Sequence, residues 1–117
     1  MEQRLTIVTL GVKDLNNASA FYEDKFGWKK MNSSNEFIHF FKLNGILLSL
    51  YPKEKLAEDT TVNYKDNGFK GFTLAYNTFF PQNQKDSSYV SDPDGNLWEI
   101  AFNPFLPLDE NGNVIEG

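Results

Sequence analysis

A chain of 117 residues is one domain's worth of sequence and should bury about two-thirds of its unfolded surface. Its 40% hydrophobic and 23% charged residues rule out wholesale disorder, and a net charge of −5 argues against nucleic acid or an anionic membrane as partner, since phosphate binding depends on clustered Lys and Arg. The absence of Cys excludes disulfides, thiolate metal sites and cysteine nucleophiles, and a single His excludes a multi-histidine metal site within one subunit. The chain opens Met-Glu-Gln-Arg without a signal-peptide pattern, and its longest apolar run, Ile46-Leu47-Leu48, is too short to span a membrane. The expectation is a soluble cytoplasmic protein.

Residues 4–12 are rich in β-branched side chains and read as a strand. Asp14 is a good N-cap for a helix on which Leu15, Ala18, Tyr22 and Phe26 recur at helical spacing, with Phe21 beside them, and Gly27 is placed to stop it. Trp28 to Asn32 reads as a short second strand and Ser33-Ser34-Asn35 as a turn. Glu36 to Leu43 and Ile46 to Tyr51 are strongly β-like and flank Asn44-Gly45, the preferred two-residue hairpin turn. That turn sets Phe40 opposite Ser49 and Ile38 opposite Tyr51 on one face, with His39 opposite Leu50 and Phe41 opposite Leu48 on the other.

Residues 52–67 read as a polar connection with one helical turn, and Lys70 to Asn77 as a strand with Phe72, Leu74 and Tyr76 on one face. Residues 78–87 are polar, contain Pro81 and carry no helical stripe. A strand beginning at Tyr89-Val90, a turn at Asp92-Pro93-Asp94-Gly95 and a strand from Asn96 to Phe102 follow, the last with Leu97, Glu99 and Ala101 facing one way and Trp98, Ile100 and Phe102 the other. The tail from Asn103 is loop-like, with an Asn111-Gly112 turn. Each half thus begins with a strand and ends in a tight hairpin into a strand, but Lys70 to Asp94 is much shorter than Arg4 to Asn44. The second half has no room for a helix of ordinary length.

Val12-Lys13-Asp14-Leu15 leading to Phe21-Tyr22 and Phe26-Gly27 resembles the first strand and helix of the vicinal oxygen chelate superfamily, which contains glyoxalases, bleomycin-resistance proteins and extradiol dioxygenases. Gly71 to Asn77, Asp92 to Glu99 and Asn103-Pro104-Phe105 resemble its second half. The resemblance implies an α+β fold of paired βαβββ modules curled around a cavity. Here it implies a single domain with one intact module at 4–51, a linker at 52–68, a shortened second module at 69–103 that lacks its helix, and a tail at 104–117.

Metalloenzymes of that superfamily hold a divalent metal with four inner-face side chains and use it to stabilise enediolate-like charge. Matched position by position, those four fall on Ile7, Ser49, a residue near Phe72, and Glu99, of which only Glu99 is a competent ligand. His39 belongs to the face opposite Ser49 and reads as a strand filler. No metal, no other cofactor and no catalytic residue is therefore assigned. The expected function is metal-independent binding of a partly aromatic or apolar small molecule, with Ile7, Ile38, Phe40, Ser49, Tyr51, Phe72, Tyr76 and Glu99 lining the cavity. The alternatives are a glyoxalase- or dioxygenase-type metalloenzyme with a non-standard ligand set, and a shortened relic with no small-molecule role. Glu99 reads equally as a half-exposed strand carboxylate or as a cavity group that accepts a hydrogen bond or binds a cation. The aromatic residues read as plain core or as a stacking surface, and Asp92 to Gly95 as a turn rather than a carboxylate cluster. Without a second helix, the face of Trp98, Ile100 and Phe102 should lie open, so a homodimer, packed face to face or swapped, is expected.

Overall fold

A computed structural model describes residues 1–60, 70, 72–81 and 87–115, with the side chains of Thr60 and Ser87 excepted. The chain divides into two compact units, Met1–Asp66 and Asn67–Gly117. No helix among the described residues is long and apolar enough to cross a membrane.

The first unit runs β1 (Ile7–Val12), α1 (Leu15–Lys25), β2 (His39–Lys42), β3 (Leu47–Pro52) and α2 (Lys53–Thr60). Its sheet has the order β1-β3-β2, with β1 parallel and β2 antiparallel to the central β3. The Asp14 side chain caps α1 by accepting from the Asn17 N–H at 3.0 Å, and Gly27, at φ 70°, turns the chain away beyond the C-cap Phe26. Ala18, Ser19 and Tyr22 are the buried face of the helix. Leu10, Val12, His39, Phe41, Leu48 and Leu50 alternate onto one face of the sheet and are all buried. Tyr22 anchors an aromatic cluster, stacked on Trp28 at 5.8 Å and tilted against Phe41 at 5.8 Å, while Phe26 meets Trp28 edge to face at 4.9 Å.

The strand expected at Trp28 to Asn32 is reduced to a single bridge pair, Lys30 with Phe41. Trp28 is drawn into the aromatic cluster instead of extending a ladder. The strand expected from Glu36 begins only at His39, and the Ser33-Ser34-Asn35 turn explains why. Asn35 Oδ1 accepts the backbone N–H groups of Phe37 and Ile38 at 2.8 and 3.1 Å, and Ser34 Oγ accepts that of Phe40 at 2.9 Å. These side chains satisfy donors that a longer ladder would otherwise have used. The hairpin register matches the expectation: Phe40 pairs with Ser49, His39 with Leu50 and Phe41 with Leu48. Gly45 takes φ 75° in the connecting turn.

The single helical turn expected after Pro52 is an eight-residue helix, α2. Glu54 in its first turn complements the helix dipole, and Leu56 and Ala57 are its half-buried residues. It passes close to β1: a Cβ on Gly11 would stand 3.0 Å from Lys53 Cγ and 3.4 Å from Leu56 Cδ2. Residues 61–68 of the expected linker lie outside the described residues.

The second unit contains β4 (Leu74–Asn77), β5 (Ser87–Ser91) and β6 (Leu97–Ala101) in the order β4-β6-β5, with β4 parallel and β5 antiparallel to the central β6. Its strand topology repeats that of the first unit, and no helix occurs among its described residues, although 82–86 of the segment expected to lack a helix lie outside them. Asp92 to Gly95 is a turn, as expected. Asp92 is buried, its Oδ1 accepts the N–H groups of Asp94 and Asn96 at 2.9 and 2.8 Å, its Oδ2 accepts Asn96 Nδ2 at 2.8 Å, and Gly95 sits at φ 79°. Lys70 Nζ closes the same turn by donating to the Asp94 carbonyl at 2.9 Å and Asn96 Oδ1 at 3.1 Å. The tail forms a small turn at Asp109 to Gly112, with a bridge between Leu108 and Val114.

The face expected to lie open in the second unit is closed at its centre. Trp98 is only 4% exposed, and Ile100 and Phe102 are half-buried.

Candidate functional site

Strand alternation places Ile7, Thr9 and Gly11 of β1, Leu47, Ser49 and Tyr51 of β3, and Phe40 and Lys42 of β2 on the face of the first sheet turned away from α1. Four of the expected ligand-lining residues, Ile7, Phe40, Ser49 and Tyr51, therefore do share one face. Ile38 precedes β2 by one residue and is half-buried. Ile7 is exposed, Phe40 and Tyr51 are half-buried, and Ser49, on the central strand, is 1% exposed. The Ser49 hydroxyl has no hydrogen-bond partner. Thr9, level with Ser49 on β1, is an exposed hydroxyl that strand pattern alone did not single out.

In the second unit the grouping differs from the sequence expectation. Leu74 is level with Trp98, Ala75 with Glu99 and Tyr76 with Ile100. Tyr76 therefore belongs to the Trp98 and Ile100 face, opposite Glu99, and Phe72 lies outside β4, exposed. The residue that does meet Glu99 is Tyr89, level with it on β5, whose hydroxyl donates to Glu99 Oε2 at 3.3 Å. Sequence pattern missed Tyr89 because its partner strand is short and its cross-strand register depends on the turn at Asp92.

The two sheets are equivalent position by position. Thr9, Ser49 and Phe40 sit side by side in one, and Ala75, Glu99 and Tyr89 in the other. Two residues before Thr9 is Ile7, and two before Ala75 is Thr73, so the third position of the family pattern falls on Thr73 rather than Phe72. The four positions then carry Ile7, Ser49, Thr73 and Glu99. Taken unit by unit, Ile7 and Ser49 offer a hydrocarbon and a neutral hydroxyl, and Thr73 and Glu99 a hydroxyl and a single carboxylate, so neither pair fits the divalent metal that the resemblance implies. Among the described residues no group of three or more His, Cys, Asp and Glu is placed to hold a metal ion.

His39 lies on the α1 side of the first sheet, as expected from the hairpin register. Its Nδ1 is hydrogen-bonded to the buried Ser19 hydroxyl of α1. Burial pushes its imidazole below the ordinary value of 6.5, with Lys30 pushing the same way, while Glu23 and the Asn35 backbone pull upward. The hydrogen bond between Ser19 and His39 is a structural tie between helix and sheet.

No protein-family model and no curated protein matches the chain. Among solved structures it is similar to a glyoxalase-related enzyme from Fulvimarina pelagi, with a TM-score of 0.85 and 29% identity over 99% of each chain. A lactoylglutathione lyase from Agrobacterium tumefaciens is similar at a TM-score of 0.65 and 18% identity, covering 90% of this chain and 97% of the other. A genomically encoded fosfomycin resistance protein from Listeria monocytogenes is similar at 0.60 and 20% identity, covering 88% and 93%. A variant of the last protein was crystallised with Mn(II) and a dihydroxypropylphosphonic acid. The latter two likenesses carry the fold and not the chemistry. By fold, by strand topology and by the motifs on both halves, the chain is similar to the vicinal oxygen chelate superfamily, and its second unit has no helix among the described residues.

Proposed function

We propose that the protein is a cytoplasmic, metal-independent binder of a partly aromatic or apolar small molecule. The observation that carries this is the donor set at the four equivalent positions: Ile7, Ser49 and Thr73 have no charge to offer a cation, and Glu99 already accepts a hydrogen bond from Tyr89. In the first unit, Ile7, Phe40 and Tyr51 supply the apolar and aromatic lining around Ser49. Ile38 extends it. In the second unit, Glu99 is a half-buried acceptor, Tyr76 is exposed on the opposite face of the sheet, and Phe72 is exposed ahead of β4.

Calorimetric titration with Mn²⁺, Ni²⁺ and Zn²⁺ should reveal no site of micromolar affinity, in wild type or in Glu99→Gln. Stoichiometric binding that Glu99→Gln abolishes would overturn the metal-independent reading in favour of a glyoxalase- or dioxygenase-type enzyme. The binding half is tested by adding toluene to isotopically labelled protein and finding amide shifts at Ile7, Phe40, Ser49 and Tyr51.

Self-association is part of the same proposal. Its support is no longer Trp98, which is buried, but the second unit's remaining aromatic surface: Phe79, Phe80 and Phe105 are exposed, Phe80 at 78%. Sedimentation should give about twice the chain mass of 13.4 kDa, and Phe80→Ser should shift it toward the monomer.

A further inference from the structure

We propose that Ser49 and Thr9 together form a recognition point for the carbonyl oxygen of a flat, uncharged ligand. The proposal rests on the binding reading above and adds the class of molecule bound. Ser49 Oγ is the only buried side-chain polar atom among the described residues without a hydrogen-bond partner. Buried hydroxyls are almost always satisfied, and leaving one unmet costs stability, so an unmet one at the centre of a sheet points to a group that arrives from outside.

Thr9 is level with it on one neighbouring strand and Phe40 on the other. Adjacent strands are about 4.8 Å apart, so two hydroxyl donors standing side by side match the two lone pairs of one carbonyl oxygen. Ile7 and Tyr51, two positions away along β1 and β3, complete an apolar and aromatic surround suited to a planar body. Lys42 is the one charged strand residue of this face. It is exposed and level with Leu47 rather than with Ser49, so a ligand charge brought to the buried hydroxyl would have no paired partner there. Ser49 is 1% exposed in the free protein, so a ligand reaches it only in a conformation that uncovers the hydroxyl.

The test is amide-detected NMR titration of the full chain with acetophenone, toluene and benzoate. Acetophenone should bind about tenfold more tightly than toluene, the worth of one or two neutral hydrogen bonds, and should shift the amides of Thr9, Phe40 and Ser49. Ser49→Ala should bring the acetophenone-to-toluene ratio close to one while toluene binding persists, and Thr9→Val should lower it part of the way. An unchanged ratio in Ser49→Ala, or equal affinities in wild type, would overturn the proposal while the apolar binding reading stands. Benzoate binding more tightly than acetophenone would overturn the uncharged class. No shift at this face with any of the three would overturn both readings.

Discussion

His39 is the chain's single histidine, so its titration can be followed without interference from another imidazole. It is buried between β2 and α1, hydrogen-bonded to Ser19, and held below the ordinary value of 6.5 mainly by burial, with Lys30 reinforcing the depression and Glu23 and Asn35 opposing it. A depressed value means that the folded state keeps the imidazole neutral where the unfolded chain already binds a proton. Its stabilising contribution is therefore complete above pH 6.5, falls as the pH drops from there toward the folded-state value, and is gone below that value. Within that window the slope approaches about 1.4 kcal/mol per pH unit for one proton. Urea unfolding between pH 8 and pH 5.5 should show the loss in wild type, and His39→Gln, although less stable at pH 8, should be flatter across the same range. The imidazole Cε1–H resonance should titrate below 6.5. Parallel pH profiles for the two proteins, or a resonance titrating at or above 6.5, would refute the reasoning.

Asp92 accepts three hydrogen bonds inside one buried turn, so Asp92→Ala should cost about 2–4 kcal/mol in urea unfolding, and Asp92→Asn less, because Oδ1 and its two backbone bonds remain. Asp14→Ala removes the α1 cap and should cost about 1 kcal/mol by the same assay, whereas Asp14→Ser should restore most of it. Gly11→Leu forces a side chain against Lys53 and Leu56 of α2 and should cost about 1–3 kcal/mol, with amide exchange faster across Lys53 to Asp59 than in wild type.

Where local chemistry decided the structure, the sequence was a good guide. The Asp14 cap, the Gly27 stop and the Asn44-Gly45 hairpin each depend on two or three adjacent residues, and each is found. The hairpin carried the register with it and so placed Phe40, Ser49 and His39 on their correct faces. Elements decided by competition were less legible. The strand expected from Glu36 is shorter because the Asn35 side chain takes the backbone donors of Phe37 and Ile38, and the one expected at Trp28 because that ring joins Tyr22 and Phe41. The second helix α2 has a weak apolar stripe and forms against β1, where Gly11 leaves room for it. Nothing local announces that contact.

Phe72 shows how a candidate site depends on register. In a strand, a displacement of one residue moves every side chain to the other face. The sequence puts Leu74 and Tyr76 on one face of their strand and Glu99 on one face of its own, and the parallel pairing that joins the two sets Ala75, not Tyr76, beside Glu99. The third family position, expected near Phe72, then falls on Thr73, and neither side chain carries the charge a divalent cation needs. In the first sheet Thr9 and Ser49 stand level as two neutral hydroxyls, and in the second unit Thr73 lies two residues before Ala75. A surface built on neutral donors discriminates by hydrogen-bond geometry rather than by charge, and a site built to hydrogen-bond a ligand strongly rejects the analogue lacking that group. Specificity in this protein should therefore be sought among uncharged oxygen-bearing molecules before anions or metal chelates.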